Sequence, residues 1–116
     1  MREQKFGRII LTSSVLAERP LAGIGVYSAC KAFSDTIVKA VAIENAKYGI
    51  TCNSMQLGYF NGGLVDHIPK PLKHTILEFI PMKRWLMIEE IENTIMYIMN
   101  NPYLTGTTIR INGGLA

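Results

Sequence analysis

A helix-length apolar stretch held between two short apolar runs is the feature that most constrains this chain. Arg8-Ile9-Ile10-Leu11-Thr12-Ser13 is a short, nearly continuous apolar run, which predicts a strand buried on both faces, as in a parallel sheet. From about Ser28 to Tyr48 the spacing turns helical. Phe33, Ile37, Ala40 and Val41 share one stripe, and Val38, Ala42 and Ile43 widen it. Charge is sparse before Glu44 and Lys47, so this helix is expected to bury more than one side, against a sheet and against a further surface such as another subunit. Gly49 supplies a left-handed terminator, and Ile50 to Leu57 reads as a second strand. Strand, helix and strand in that order predict a right-handed βαβ unit with parallel strands.

The flanking segments extend the same pattern. Residues 2–6 read as the last turn of a helix ended by Gly7. Residues 15–26, with Pro20, Gly23 and Gly25, form a loop long enough to suggest a functional role. Gly58, Gly62 and Gly63 open a mobile stretch through Pro69, Pro71 and Pro81, within which Leu72 to Ile80 predicts a short helix. Ile88 to Met99 predicts another helix, with Ile91, Ile95, Ile98 and Met99 turned inward and Glu89 and Glu90 favouring its N-terminus. Thr107 to Ile111 is a third strand, closed by an Asn112-Gly113-Gly114 turn. The fold class is α/β: strand-helix-strand-helix-strand.

Composition narrows the function classes. With 116 residues, 48% hydrophobic and 18% charged, the chain is one domain or less and can bury a core. A net charge of +3 is dispersed, and no basic arm interleaves with aromatics, so neither nucleic-acid binding nor a purely electrostatic anion-binding surface is expected. No apolar run is long enough for a membrane span and no signal-peptide pattern opens the chain, which predicts a cytoplasmic protein. Cys30 and Cys52 lie in regular elements and read as buried free thiols. His67 and His74 lack partners with metal-ligand spacing, so no metal is expected. Met55, Met82, Met87, Met96 and Met99 read as core or interface filler, Asn53 as a backbone-bonding asparagine and Trp85 as an anchor for the last helix.

The chemistry concentrates between Ser13-Ser14 and Tyr27-Ser28-Ala29-Cys30-Lys31. Residues four apart share a helix face, so Tyr27 and Lys31 are expected to present a phenol and an ammonium to one pocket. A positive charge beside a phenol favours phenolate, which suits general acid/base work. A serine hydroxyl from the preceding strand would hold the oxygen where charge develops.

In order along the chain, five segments resemble the C-terminal half of the short-chain dehydrogenase/reductase family, and most of all its 3-oxoacyl-(acyl-carrier-protein)-reductase-like members. Arg8-Ile9-Ile10 into Thr12-Ser13-Ser14 resembles the strand ending in the family's catalytic serine. Tyr27-Ser28-Ala29-Cys30-Lys31, thirteen positions on, is similar to its Tyr-Ser-Ala-Ser-Lys. Tyr48-Gly49-Ile50-Thr51-Cys52-Asn53 resembles its helix end and next strand. Ile80-Pro81-Met82-Lys83-Arg84 with Glu89-Glu90-Ile91 resembles the stretch before its penultimate helix, and Tyr103-Leu104-Thr105-Gly106 through Asn112-Gly113-Gly114 resembles its closing strand and Gly-Gly turn. The resemblance covers nearly the whole chain. The Tyr-to-Lys spacing sets it apart from enoyl-reductase-type relatives.

That resemblance implies a Rossmann-like, doubly wound parallel sheet in which residues 1–116 form a single partial domain, the substrate loop runs from about 58 to 81, and the N-terminal dinucleotide-binding half is missing. It implies catalytic roles for Ser14, Tyr27 and Lys31. It also implies NAD or NADP as cofactor, contacted by Tyr27, Lys31, Gly58 and Tyr59, with a small carbonyl or alcohol substrate. Three departures stand out. The glycine-rich pyrophosphate turn and the family's catalytic asparagine have no counterpart, Leu57-Gly58 replaces Pro-Gly, and Gly62 replaces a threonine. If these mark a subgroup, Tyr59-Phe60-Asn61 faces substrate. The implied function is NAD(P)-dependent oxidoreduction once an N-terminal half completes the site, the piece alone being inactive. The alternative is a non-catalytic oligomerisation module or truncated remnant. Either way, homo-oligomers or a complementing half are the expected partners.

Overall fold

The computed structural model describes residues 1–115, Leu64 by its backbone alone. Three parallel strands form one sheet in the order β1 (Gly7–Ser14), β2 (Ile50–Leu57) and β3 (Thr108–Ile111). Helix α1 (Gly25–Asn45) links β1 to β2. Helices α2 (Lys70–Phe79) and α3 (Ile88–Met99) lie between β2 and β3. This is the α/β order the sequence predicts. Strand β2 is central and every one of its residues is buried, because it has a strand on each side and a helical layer on each face. Among the described residues β1 pairs only with β2, so its partial burial reflects an edge position.

The two faces of the sheet have different chemistry. On one, Met55 and Leu57 pack with Ile98 of α3, joined by Ile10, Ile91, Ile95, Ile109 and Ile111. On the other, α1 lays Val38 and Ala42 against the sheet, and Ser13, Ser54 and Gln56 lie buried beneath it. Strand alternation explains the division, since Ser54 and Gln56 point away from Met55 and Leu57.

That polar face decides which side of α1 is buried, and it corrects the predicted stripe. Val38 and Ala42 are buried as the sequence predicts, but Phe33 is 63% exposed and Ile43 83% exposed, and Ser28 is buried in their place. Asp35 accepts hydrogen bonds from Ser13 at 2.9 Å and Ser54 at 2.7 Å. The helix is therefore turned with Asp35 toward the strand hydroxyls, and its bulkiest apolar groups face outward.

Other departures are local. Residues 2–5 form turns and not helix, the left-handed residue there is Lys5 (φ 49°), and Gly7 already belongs to β1. α1 begins at Gly25, ahead of Tyr27. Cys30 is exposed and only Cys52 is buried. Met99 faces outward on α3, and among the named methionines Met82, Met87 and Met96 are exposed as well. Gly49 ends the α1 region at φ 71°, as predicted. Asn53 bonds backbone as predicted, donating to Leu104 O at 2.9 Å and accepting from Thr107 N at 3.3 Å. No helix among the described residues is long and apolar enough to cross a membrane.

The radius of gyration is 15.6 Å, against about 13 Å for a compact chain of this length. The molecule is thus elongated, 51 × 28 × 22 Å, and α1 carries exposed Val26, Phe33 and Ile43.

Candidate active site

The site gathers where β1 ends and α1 begins. Ser13 and Ser14 project to opposite faces of the strand. Ser13 is committed to Asp35 beneath α1. Ser14, the last residue of β1, is 8% exposed and caps the short 3-10 turn that follows, its Oγ accepting from Leu16 N at 3.2 Å. Because Oγ acts there as acceptor, the hydroxyl hydrogen remains free to donate.

Tyr27 and Lys31 stand one turn apart on α1, both half-buried. The Lys31 ammonium lies 5.7 Å from the centre of the Tyr27 ring, within cation–π range. It also donates to Thr12 O at 2.8 Å. That bond ties the lysine to the strand carrying Ser14, so strand and helix fix one side chain jointly. Lys31 is thereby brought to Tyr27 and to the strand position two residues before Ser14, while no hydrogen bond joins Ser14 to Tyr27 among the described residues.

Gly58 follows β2 immediately. Its N–H donates to Ile111 O at 3.0 Å, and a Cβ there would lie 2.8 Å from Asn112 Cα. Close approach of two backbones accounts for this glycine. Gly62 sits at φ 147°, a conformation that a threonine would adopt only under strain.

Tyr59 walls two cavities. The first, about 340 Å³, opens at the C-terminal ends of β2 and β3 and is lined by Arg84, Glu90, Arg110 and Asn112. The second, about 410 Å³, lies under α2 and the 15–21 loop and is lined by Leu16, Arg19, Leu72, Ile76 and Phe79. Openings at the carboxyl ends of parallel strands are where such sheets take ligands. Burial pushes the Tyr59 phenol above its ordinary pKa, and the neighbouring Tyr27 phenol adds to the push. Tyr59 is therefore a neutral hydrogen-bond donor across the physiological range.

Trp85 meets Tyr59 edge-on, with ring centres 6.4 Å apart and planes at 72°. It packs on the cluster of Val15, Ile80 and Leu115, so it braces the cavity wall instead of anchoring α3. Two site features escaped the sequence: Asp35, hidden in the polar run Ser34-Asp35-Thr36, and Arg19, which nothing in its loop distinguishes. The one available signal was the run of buried polar residues along β2, which demands a polar partner.

Comparison with known proteins adds a family. The family model described as enoyl-(acyl carrier protein) reductase matches residues 1–116. Nodulation protein G of Azospirillum brasilense is 38% identical across 99% of this chain and 48% of its own length. An acetoacetyl-CoA reductase of Allochromatium vinosum is 35% identical over the same shares. A 3-oxoacyl-(acyl-carrier-protein) reductase of Rickettsia felis is 30% identical, again over 99% and 48%. The chain spans about half the length of the curated relatives it matches.

Proposed function

The chain belongs to the short-chain dehydrogenase/reductase family of oxidoreductases, and on that footing we propose that it carries the proton-transfer half of an NAD(P)-dependent carbonyl reductase. The observation that carries this reading is the Lys31 ammonium, held by Thr12 and placed beside the Tyr27 ring. Tyr27 gives its Oη proton to the oxygen of the carbonyl being reduced, or takes it back from the alcohol. Negative charge left on that phenol is met by Lys31. Ser14 donates to the same oxygen, its lone pairs steered by Leu16 N–H.

The donor set fits one end of a dinucleotide and not the other. Lys31 spends one N–H on Thr12 and keeps the rest for hydroxyls such as those of a ribose. When bound, the nicotinamide supplies or accepts the hydride. The chain contains no Gly-x-x-x-Gly-x-Gly turn for a pyrophosphate, so we assign that grip to a complementing half. The substrate is a ketone or secondary alcohol; we read the single-turn spacing of Tyr27 and Lys31 as suited to a carbonyl oxygen rather than to an enoyl double bond.

The test is turnover of NADPH, then NADH, with acetoacetyl-CoA, first by this chain and then by this chain mixed with the N-terminal half of a relative. Activity only in the mixture, abolished by Tyr27→Phe, is the expected result. A mixture that forms a complex and stays inactive would sink the reading.

One observation favours a second role. Val26, Phe33 and Ile43 are 82%, 63% and 83% exposed along α1, a large apolar surface for an unpartnered helix. An association module would use this face. Sedimentation should then show oligomers that Phe33→Glu with Ile43→Lys dissociates; a monomer at all concentrations removes this alternative.

A further inference from the structure

Two serines end β1, and the proposed chemistry uses only the second. Ser13, on the opposite face of the strand, is 2% exposed, and its hydroxyl meets one turn of α1 twice. Its Oγ lies 3.1 Å from Lys31 O and 2.9 Å from Asp35 Oδ2. A hydroxyl carries one hydrogen, so the two acceptors share it as a three-centre bond. The residue before it, Thr12, takes the Lys31 ammonium on its carbonyl at 2.8 Å. Both ends of the lysine, the backbone root and the charged tip, are therefore held by one dipeptide of the strand. Lysine is a point charge on a flexible four-carbon stem, and a hold on the tip alone would leave the root free to slide with the helix.

We propose that Ser13 is a positioning residue for Lys31: it fixes the α1 turn from which the ammonium reaches Tyr27. Strand alternation divides the work of the serine pair. In the proposed reductase Ser14 serves the reacting oxygen, and Ser13 serves the helix that carries the phenol and the cation. The span between hydroxyl and cation is then set by neighbouring residues of one strand. Docking of α1 as a whole does not account for this grip. The other oxygen of Asp35 is held by Ser54 at 2.7 Å, and among the described residues no hydrogen bond joins Ser54 to Lys31. Ser54 thus fastens the same helix and leaves the lysine turn alone, which makes it the control. The inference rests on the reductase reading only for its effect on turnover; the hold on Lys31 is tested without it.

Acetylation of lysines by acetic anhydride, read by mass spectrometry of the 116-residue chain, reports the freedom of the Lys31 amine without any turnover. Exposed Lys39 on the same helix is the internal reference. Ser13→Ala should raise labelling of Lys31 relative to Lys39 about three- to tenfold, the release expected from one lost hydrogen bond. Ser13→Thr keeps the hydroxyl on a residue that strands favour and should label like the parent. Ser54→Ala should also label like the parent, although it loses a bond to the same carboxylate. Ser13→Ala leaves Asp35 bonded to Ser54 and 3.5 Å from Gln56 Nε2. Should it still lack native circular dichroism, Ser13→Cys, isosteric and a weaker donor, should raise labelling in the same direction. In the complemented mixture, Ser13→Ala should lower kcat about tenfold or more and raise KM for NADPH, with KM for the ketone unchanged. A mere loss of folded protein would lower kcat and move neither KM. Equal labelling of Lys31 in the Ser13→Ala and Ser54→Ala chains, or an active mixture whose KM for NADPH ignores Ser13→Ala, would overturn the proposal. An inactive parent mixture with the expected labelling defeats the reductase reading alone, and an active one with labelling indifferent to Ser13 defeats this one alone.

Discussion

Ser13 donates its hydroxyl to Asp35 Oδ2 at 2.9 Å, fastening the end of β1 to the helix that carries Tyr27 and Lys31. Ser54 of β2 donates to Oδ1 of the same carboxylate at 2.7 Å and shares a 2.7 Å bond with Thr108 of β3. One side chain thus gathers α1 and the first two strands directly, and reaches the third through Ser54. Asp35→Ala would strand buried hydroxyls, at a cost of about 1–3 kcal/mol per orphaned group. We expect about 2–4 kcal/mol lost in urea unfolding, with Asp35→Asn milder because its amide oxygen still accepts. A loss below half a kilocalorie would mean the cluster is incidental to α1 docking.

The start of α3 should be sensitive to acid. Glu90 accepts from both terminal nitrogens of Arg84, at 2.9 and 2.6 Å, and from Met87 N at 2.9 Å. The Arg84 hydrogen bonds, aided by that of Met87, hold its pKa down to about 2. A depressed carboxylate stabilises the folded state above its unfolded value near 4.5 and loses that contribution as pH falls through about 2. Amide exchange at Met87 should therefore accelerate between those limits. Glu90→Gln, whose amide oxygen still accepts from Met87 N but does not titrate, should show no acid step. An unchanged acid step in that variant would place the titration elsewhere.

How far the sequence discloses this architecture depends on whether a signal is local. Strand β2 and helix α3 are visible as patterns because periodicity and the terminator Gly49 lie within the segments themselves. Tyr27 and Lys31 are legible for the same reason, since one helical turn sets their relation. Asp35 is not, because its partners come from two strands that meet it only through sheet register. The orientation of α1 is hidden for the same reason: a helix apolar nearly all round does not say which face turns inward, and here buried strand hydroxyls make the choice. Arg19 gains meaning only once α2 folds over its loop.

The two thiols should separate cleanly. Cys30 is exposed on α1, while Cys52 is 1% exposed in β2, and burial raises its pKa. Thiolate is the reactive form, so Cys52 is protected by both access and ionisation. A chromogenic disulfide reagent should modify one thiol rapidly in native buffer and the second only in denaturant. Cys30→Ser should abolish the fast phase. Two fast equivalents in folded protein would contradict the packing of β2 against α1.

Tyr27 and Lys31 should fail in different ways if the proton-transfer reading holds. Tyr27→Phe removes the transferred proton, and general acid catalysis contributes about a hundredfold to ten-thousandfold; in the complemented mixture, kcat should fall by that range with little change in KM for the ketone. Lys31→Met keeps the phenol and removes the charge beside it, along with the tie to Thr12. Its kcat should therefore fall and its KM for NADPH rise, because the cation that meets the charge left on the phenol and the N–H donors offered to ribose hydroxyls are removed together. Circular dichroism should be unchanged in both variants, since neither residue belongs to the Met55–Ile98 or the Val15–Leu115 cluster. A Tyr27→Phe mixture that kept full kcat would move the proton donor to another residue, and Tyr59, whose neutral phenol stands beside it, would be the next to replace.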